Sequence, residues 1–147
     1  DGVPYDLITK ALPTIEGEVN NILAQLVDFQ MLFEMDGKNI NNYIVYDDDN
    51  VWPLELSSGM ERFISSLAIR VGLINVSNLP RSNFLAIDEG WGTMDSDNLN
   101  SVYSLFQYLK SQFQFTLIVS HIDSMRDAVD TLLEIKKENN FSNISFD

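Results

Sequence analysis

The stretch FLAIDE at positions 84–89 is a short, continuous apolar run that ends in two carboxylates. A run of this kind, with no polar alternation, reads as a strand buried on both faces. Downstream, Ser96 to Phe113 places Leu99, Val102, Tyr103, Phe106 and Leu109 on one side of a helix, and FTLIV at 115–119 is a second strand of the same type. Strand, helix, strand makes a β-α-β unit, whose crossover is almost always right-handed and whose ligands gather beyond the carboxyl ends of the strands. Those ends are Asp88-Glu89 and Ser120-His121, so Asp88, Glu89 and His121, the only histidine, are expected at one edge of the sheet.

Upstream lies SSGMERFISSLAIR at 57–70. Ser58 and Glu61 have the spacing of a capping box, in which the serine hydroxyl and the glutamate carboxylate each satisfy one backbone N–H of the first turn. Phe63, Ile64, Leu67, Ala68, Val71 and Ile74 then form the stripe of a helix that packs on a sheet. Before it, Phe29 to Met35, the turn DGKN and Ile40 to Tyr46 predict a β-hairpin. The acidic run DDDN at 47–50 ends that hairpin; it lacks the spaced ligands of a calcium loop and reads as a solvated turn. From Pro4 to Val27, Leu7, Ala11, Ile15, Val19, Ile22, Leu23 and Leu26 recur at helical spacing, with Pro13 predicting a kink or break. After the β-α-β unit come a short helix at Ser124–Val129 and two strands, Leu132–Ile135 and Phe141–Phe146. The expected fold is α/β: a mainly parallel sheet flanked by helices, with an antiparallel hairpin near the N-terminus.

Composition narrows the function. The 147 residues suffice for one domain with a sizeable core, and no apolar run approaches the length of a membrane span. With 22 acidic against 9 basic residues, the chain repels nucleic acid on average, so any DNA contact must be local or supplied by a partner. The absence of cysteine excludes disulfides, thiolate metal sites and cysteine nucleophiles, and fits a reducing compartment. The opening residues DGVPY have neither an initiator methionine nor a leader and read as a piece of a longer protein.

Two readings stand beside each other at every candidate site. Asp88-Glu89 is either a polar strand terminus or a pair dividing labour, one carboxylate holding a hard cation and the other orienting a water. Asp95 either caps the following helix or belongs to the turn GWGTMD at 90–95, whose glycines let the backbone fold closely. Ser58 and Gly59 either only begin a helix or offer its free N–H groups to phosphate.

Together, SGME at 58–61, FLAIDE at 84–89, GWGTMD at 90–95 and VSHI at 119–122 resemble the signature, Walker B, D-loop and switch segments of ABC-type ATPase heads of the SMC and SbcC family, in family order. The resemblance covers roughly Ala11 to Asp147. It implies the C-terminal lobe of such a head at 14–147, with 1–13 the end of a coiled coil entering it. It further implies that Asp88 helps hold Mg²⁺, that Glu89 polarises the attacking water and that His121 contacts the γ-phosphate. Ser58 and Gly59, with Asp95 nearby, would face ATP bound mainly by an opposing head.

The implied cofactors are ATP and Mg²⁺. The implied partners are an N-terminal Walker A lobe of the same protein, a second head, a nuclease subunit of SbcD type, and DNA through the assembled complex. No membrane is involved, and the implied location is the cytoplasm or nucleoid, or the host cytoplasm if phage-encoded. The corresponding function is an ATPase controlling DNA end processing, recombination or repair. Its alternatives are a non-catalytic SMC-like dimerisation module and a metal-dependent nuclease built on Asp88, Glu89, Asp95 and Asp97. No Walker A motif is present: Gly37-Lys38 lacks the upstream glycine and precedes Asn39. Two positions depart from the family pattern, Met60 where a second glycine is usual and Ser57 where leucine is. Met60 thereby raises the question whether its side chain crowds the approach of a phosphate.

Overall fold

The computed structural model describes residues 3–78, 80–88, 99–121 and 123–146. The predicted Glu89 and Asp95, and the turn GWGTMD that holds the latter, lie outside the described residues.

Helix α1, Val3–Leu23, leads into a three-stranded antiparallel sheet of β1 (Gln30–Asp36), β2 (Asn39–Asp47) and β3 (Asn50–Pro53). A 3-10 turn at Leu54–Leu56 precedes α2 (Gly59–Val76). Strand β4 (Phe84–Asp88), helix α3 (Leu99–Gln112) and strand β5 (Phe115–Val119) form the β-α-β unit, and β4 and β5 pair in parallel. A second 3-10 segment, Asp123–Ala128, leads to the antiparallel hairpin of β6 (Leu133–Glu138) and β7 (Phe141–Phe146). Asn139 and Asn140 turn that hairpin with φ of 50° and 65°, a conformation asparagine tolerates better than most residues. The fold is therefore α/β as expected, with the hairpin near the N-terminus and the parallel pairing carried by β4 and β5.

The expected break at Pro13 does not occur: one helix runs through it. Proline removes one intrahelical N–H donor, and Pro13 is exposed, so the carbonyl it leaves unpaired can be hydrated. The apolar face of α1 changes character along its length. Leu7 is 61% exposed, whereas Leu12, Val19, Ile22 and Leu23 are buried.

The polar face of α1 closes the edge of the sheet. Glu16 Oε2 accepts from Phe33 N–H at 2.8 Å, and Asn20 bonds both backbone groups of Met31, accepting at 2.8 Å and donating at 2.9 Å. The spacing explains the fit, since four residues of helix rise about 6 Å and two residues of strand about 6.8 Å. An edge strand whose backbone groups are bonded in this way no longer offers them to another chain.

Helices α1 and α2 pack where Gly72 removes a side chain. A Cβ there would meet Val19 Cγ2 at 3.0 Å. Ile64, Leu67, Ala68 and Val71 of α2 join Val102, Leu105, Phe106 and Leu109 of α3 and Ile87 of β4 in one core, which also takes in Met31 and Ile44.

The parallel pair differs from the reading of strands buried on both faces. Ile87 is buried and Leu85 and Ile118 pack against the core, but the opposite face is bare: Phe84, Phe115, Leu117 and Val119 are 46–57% exposed. An unbroken apolar run says that both faces are apolar; which of them is covered depends on what packs there.

Candidate functional site

Ser58 is the N-cap of α2, in extended conformation with φ of −63° and ψ of 162°. Its Oγ accepts from Glu61 N–H at 3.2 Å, and its own N–H donates to Glu61 Oε2 at 2.6 Å, so the predicted capping box is complete. The box accounts for the N–H groups of Ser58 and Glu61. Those of Gly59 and Met60 have no partner among the described residues, while the Ser58 hydroxyl is also engaged with the Glu61 carboxylate. These donors sit at the positive end of the helix dipole.

The two departures from the family pattern are both accommodated. Met60 is 8% exposed and belongs to the core, so its side chain is turned inward. Ser57 is buried, and its Oγ donates to Leu54 O at 2.6 Å, tying the preceding 3-10 turn to the cap.

A second layer escaped sequence reasoning. Tyr46, near the end of β2, donates its hydroxyl to Glu61 Oε1 at 2.8 Å, so both carboxylate oxygens of the capping residue are engaged. The Tyr46 ring stacks on Trp52 at 5.4 Å and meets the buried Phe29 at 5.6 Å. Burial pushes the Tyr46 hydroxyl up, reinforced by the bond to Glu61 and by the charges of Glu61 and Asp28, to about 12. For Glu61, burial alone would raise the carboxyl, but the bonds with Ser58 and Tyr46 outweigh it and hold the group below its ordinary value. A cleft of about 510 Å³ opens here between the α1–β1 loop, Tyr46 and the first turn of α2, with Ser101 also lining it. The only signal available in sequence was an aromatic residue at the end of a strand that leads to the cap, which by itself names no partner.

Asp88 and His121 stand at the same edge of the sheet, at the other candidate site. Asp88 closes β4 in register with Val119, and His121 follows β5 by two residues, so both stand at the carboxyl edge of the parallel pair. Both are exposed. The Asp88 carboxylate has no hydrogen bond or ion pair among the described residues. No hydrogen bond links Ser58 or Gly59 to Asp88 or His121. The candidate groups among the described residues are thus N–H donors at the start of α2, and a carboxylate and an imidazole at the carboxyl edge of β4 and β5.

This fold is that of the head domain of SMC proteins, and the sequence is similar to SbcC, which agrees with the C-terminal head lobe that the motifs resemble. An SMC ATPase solved in work on ATP-driven dimerization and DNA-stimulated activation of SMC ATPases superposes with a TM-score of 0.76 at 15% identity, over 96% of this chain and 88% of that one. The Smc head domain of Pyrococcus furiosus, with an extended coiled coil and bound to the C-terminal domain of ScpA, gives 0.69 at 18% identity, over 96% of this chain and 36% of that one. In sequence, the chain is 36% identical over 160 residues to uncharacterized protein R555 of Acanthamoeba polyphaga mimivirus, across 98% of this chain. It is 31% identical over 93 residues to the SbcC component of the nuclease SbcCD of Staphylococcus aureus, across 60% of this chain. The matches span 12% of R555 and 9% of the SbcC component. No family model matches. Among the described residues, no helix is long and apolar enough to cross a membrane.

Proposed function

We propose that this chain is the C-terminal lobe of a head that binds and hydrolyses ATP with Mg²⁺ and pairs with a second head around the nucleotide. In this reading its activity serves DNA end processing, recombination or repair alongside a nuclease subunit of SbcD type, in the cytoplasm or nucleoid. The observation that carries the reading is the first turn of α2, where a completed cap leaves the Gly59 and Met60 N–H groups unspent among the described residues while Met60 is turned into the core.

The roles divide by location. Ser58 and Gly59 donate hydrogen bonds to the γ-phosphate held mainly by the opposing head, with Asp95 near that interface. Asp88 helps hold the Mg²⁺ that neutralises phosphate charge, Glu89 accepts a proton from the attacking water, and His121 donates to the γ-phosphate oxygen from the same edge. The formal charge of −13 makes this lobe a poor anion binder by itself. The main phosphate grip therefore comes from a Walker A lobe of the same protein, and that lobe covers the bare apolar face of β4 and β5. Residues 1–13 form the end of a coiled coil and 14–147 the lobe. The change from exposed Leu7 to buried Leu12 supports a boundary in that region.

The test joins this chain to a matching Walker A lobe. Mg²⁺-dependent ATP turnover is expected, and Glu89→Gln should remove most of it; unchanged turnover in that variant rejects the role of Glu89. Ser58→Arg should abolish ATP-dependent pairing of heads in sedimentation, and normal pairing would reject the role of Ser58.

A further inference from the structure

We propose that Tyr46 is a positioning residue for the phosphate-facing turn, setting the orientation of Ser58 through Glu61. The inference rests on the reading of Ser58 given above and adds a residue that no motif contains.

The geometry is a relay of three contacts. The Tyr46 hydroxyl donates to Glu61 Oε1 at 2.8 Å, while Glu61 Oε2 accepts from the Ser58 N–H at 2.6 Å. A carboxylate at the first turn of a helix ordinarily swings between rotamers on the surface. Held at both oxygens by donors from different elements, Glu61 keeps one orientation, and Ser58 Oγ keeps its bond to the Glu61 N–H at 3.2 Å. Tyr46 is itself fixed, stacked on Trp52 and packed against the buried Phe29. Its ring therefore brings the order of the N-terminal sheet to a turn that would otherwise be held only locally. The charged neighbours of this relay are Glu61 and Asp28, both acidic, and the raised Tyr46 hydroxyl stays protonated and donating through the physiological range. Pre-setting the orientation of this turn and its free N–H donors lowers the ordering cost of binding an anion without adding a contact to it.

The experiment compares Tyr46→Phe, which keeps the ring, with Tyr46→Leu, which loses it, first in this chain and then in the assembly with a Walker A lobe. Tyr46→Phe should raise the Glu61 titration midpoint read by carboxyl NMR and speed amide exchange at Ser58. In the assembly it should raise the ATP concentration for half-maximal pairing roughly three- to tenfold, the span of one net hydrogen bond, with turnover at saturation unchanged. Tyr46→Leu should act in the same direction and more strongly. Should Tyr46→Leu fail to fold, Tyr46→Phe combined with Glu61→Gln decides the matter: less-than-additive effects on pairing are expected, and additive effects overturn the relay. Wild-type half-saturation in Tyr46→Phe, where Ser58→Arg still abolishes pairing, overturns the inference alone. Normal pairing in Ser58→Arg instead removes the reading on which it rests.

Discussion

Glu61 is the residue on which the turn depends, and its behaviour in acid follows from its partners. Its folded titration lies below the ordinary carboxyl value near 4.5, so the stability it contributes is present above that value and is lost as pH falls through the folded one. Glu61→Gln should flatten the acid limb of a stability profile measured by urea unfolding from pH 6 down to about pH 3; an unchanged limb would mean that the box contributes no proton linkage. At this scale the sequence was legible where chemistry is local. Serine and glutamate three apart announce a cap because both bonds close within one turn. The Tyr46 contact was not legible, because it joins residues on two elements and depends on how the sheet meets α2. The inward turn of Met60 was equally hidden, since its direction is set by the phase of the whole helix.

At the scale of elements, periodicity found α2, α3, β4 and β5 because each buries one regular stripe or run. It missed β3. Asn50–Pro53 is only four residues long and ends in proline, so the strand is defined by its pairing with β2, with Val51 opposite Val45 and Trp52 opposite Ile44. The meeting of α1 and α2 was also invisible, because Gly72 reads as an ordinary helix weakness until Val19 is seen against it. Gly72→Leu should destabilise the protein by roughly 1–3 kcal/mol through overpacking, measured by chemical denaturation. Gly72→Ala sets a helix-propensity gain of up to ~1 kcal/mol against a contact that must give by a few tenths of an ångström, and should lie much closer to neutral.

For the molecule as a whole, the exposed apolar face of β4 and β5 is a consequential surface feature among the described residues. Phe84 and Phe115 stack on it at 5.4 Å, with Leu117 and Val119 continuing the apolar area. Contiguous apolar surface of this kind marks an interaction site. The chain alone should therefore associate with rising concentration, and Leu117→Lys should reduce that association in sedimentation velocity while leaving the unfolding midpoint nearly unchanged. The same variant should weaken assembly with a Walker A lobe. Sequence announced the strands here but not their exposure, since the amino-acid types that fill a core and an interface are the same.

The stitching of α1 to β1 has a mechanical meaning. Glu16 and Asn20 grip alternate backbone positions of one strand, and a slip of one residue along the helix would swing both side chains about 100° around its axis, away from their partners. The helix is thus keyed against rotation, so torque applied along its length is delivered to the sheet rather than spent in spinning the helix in place.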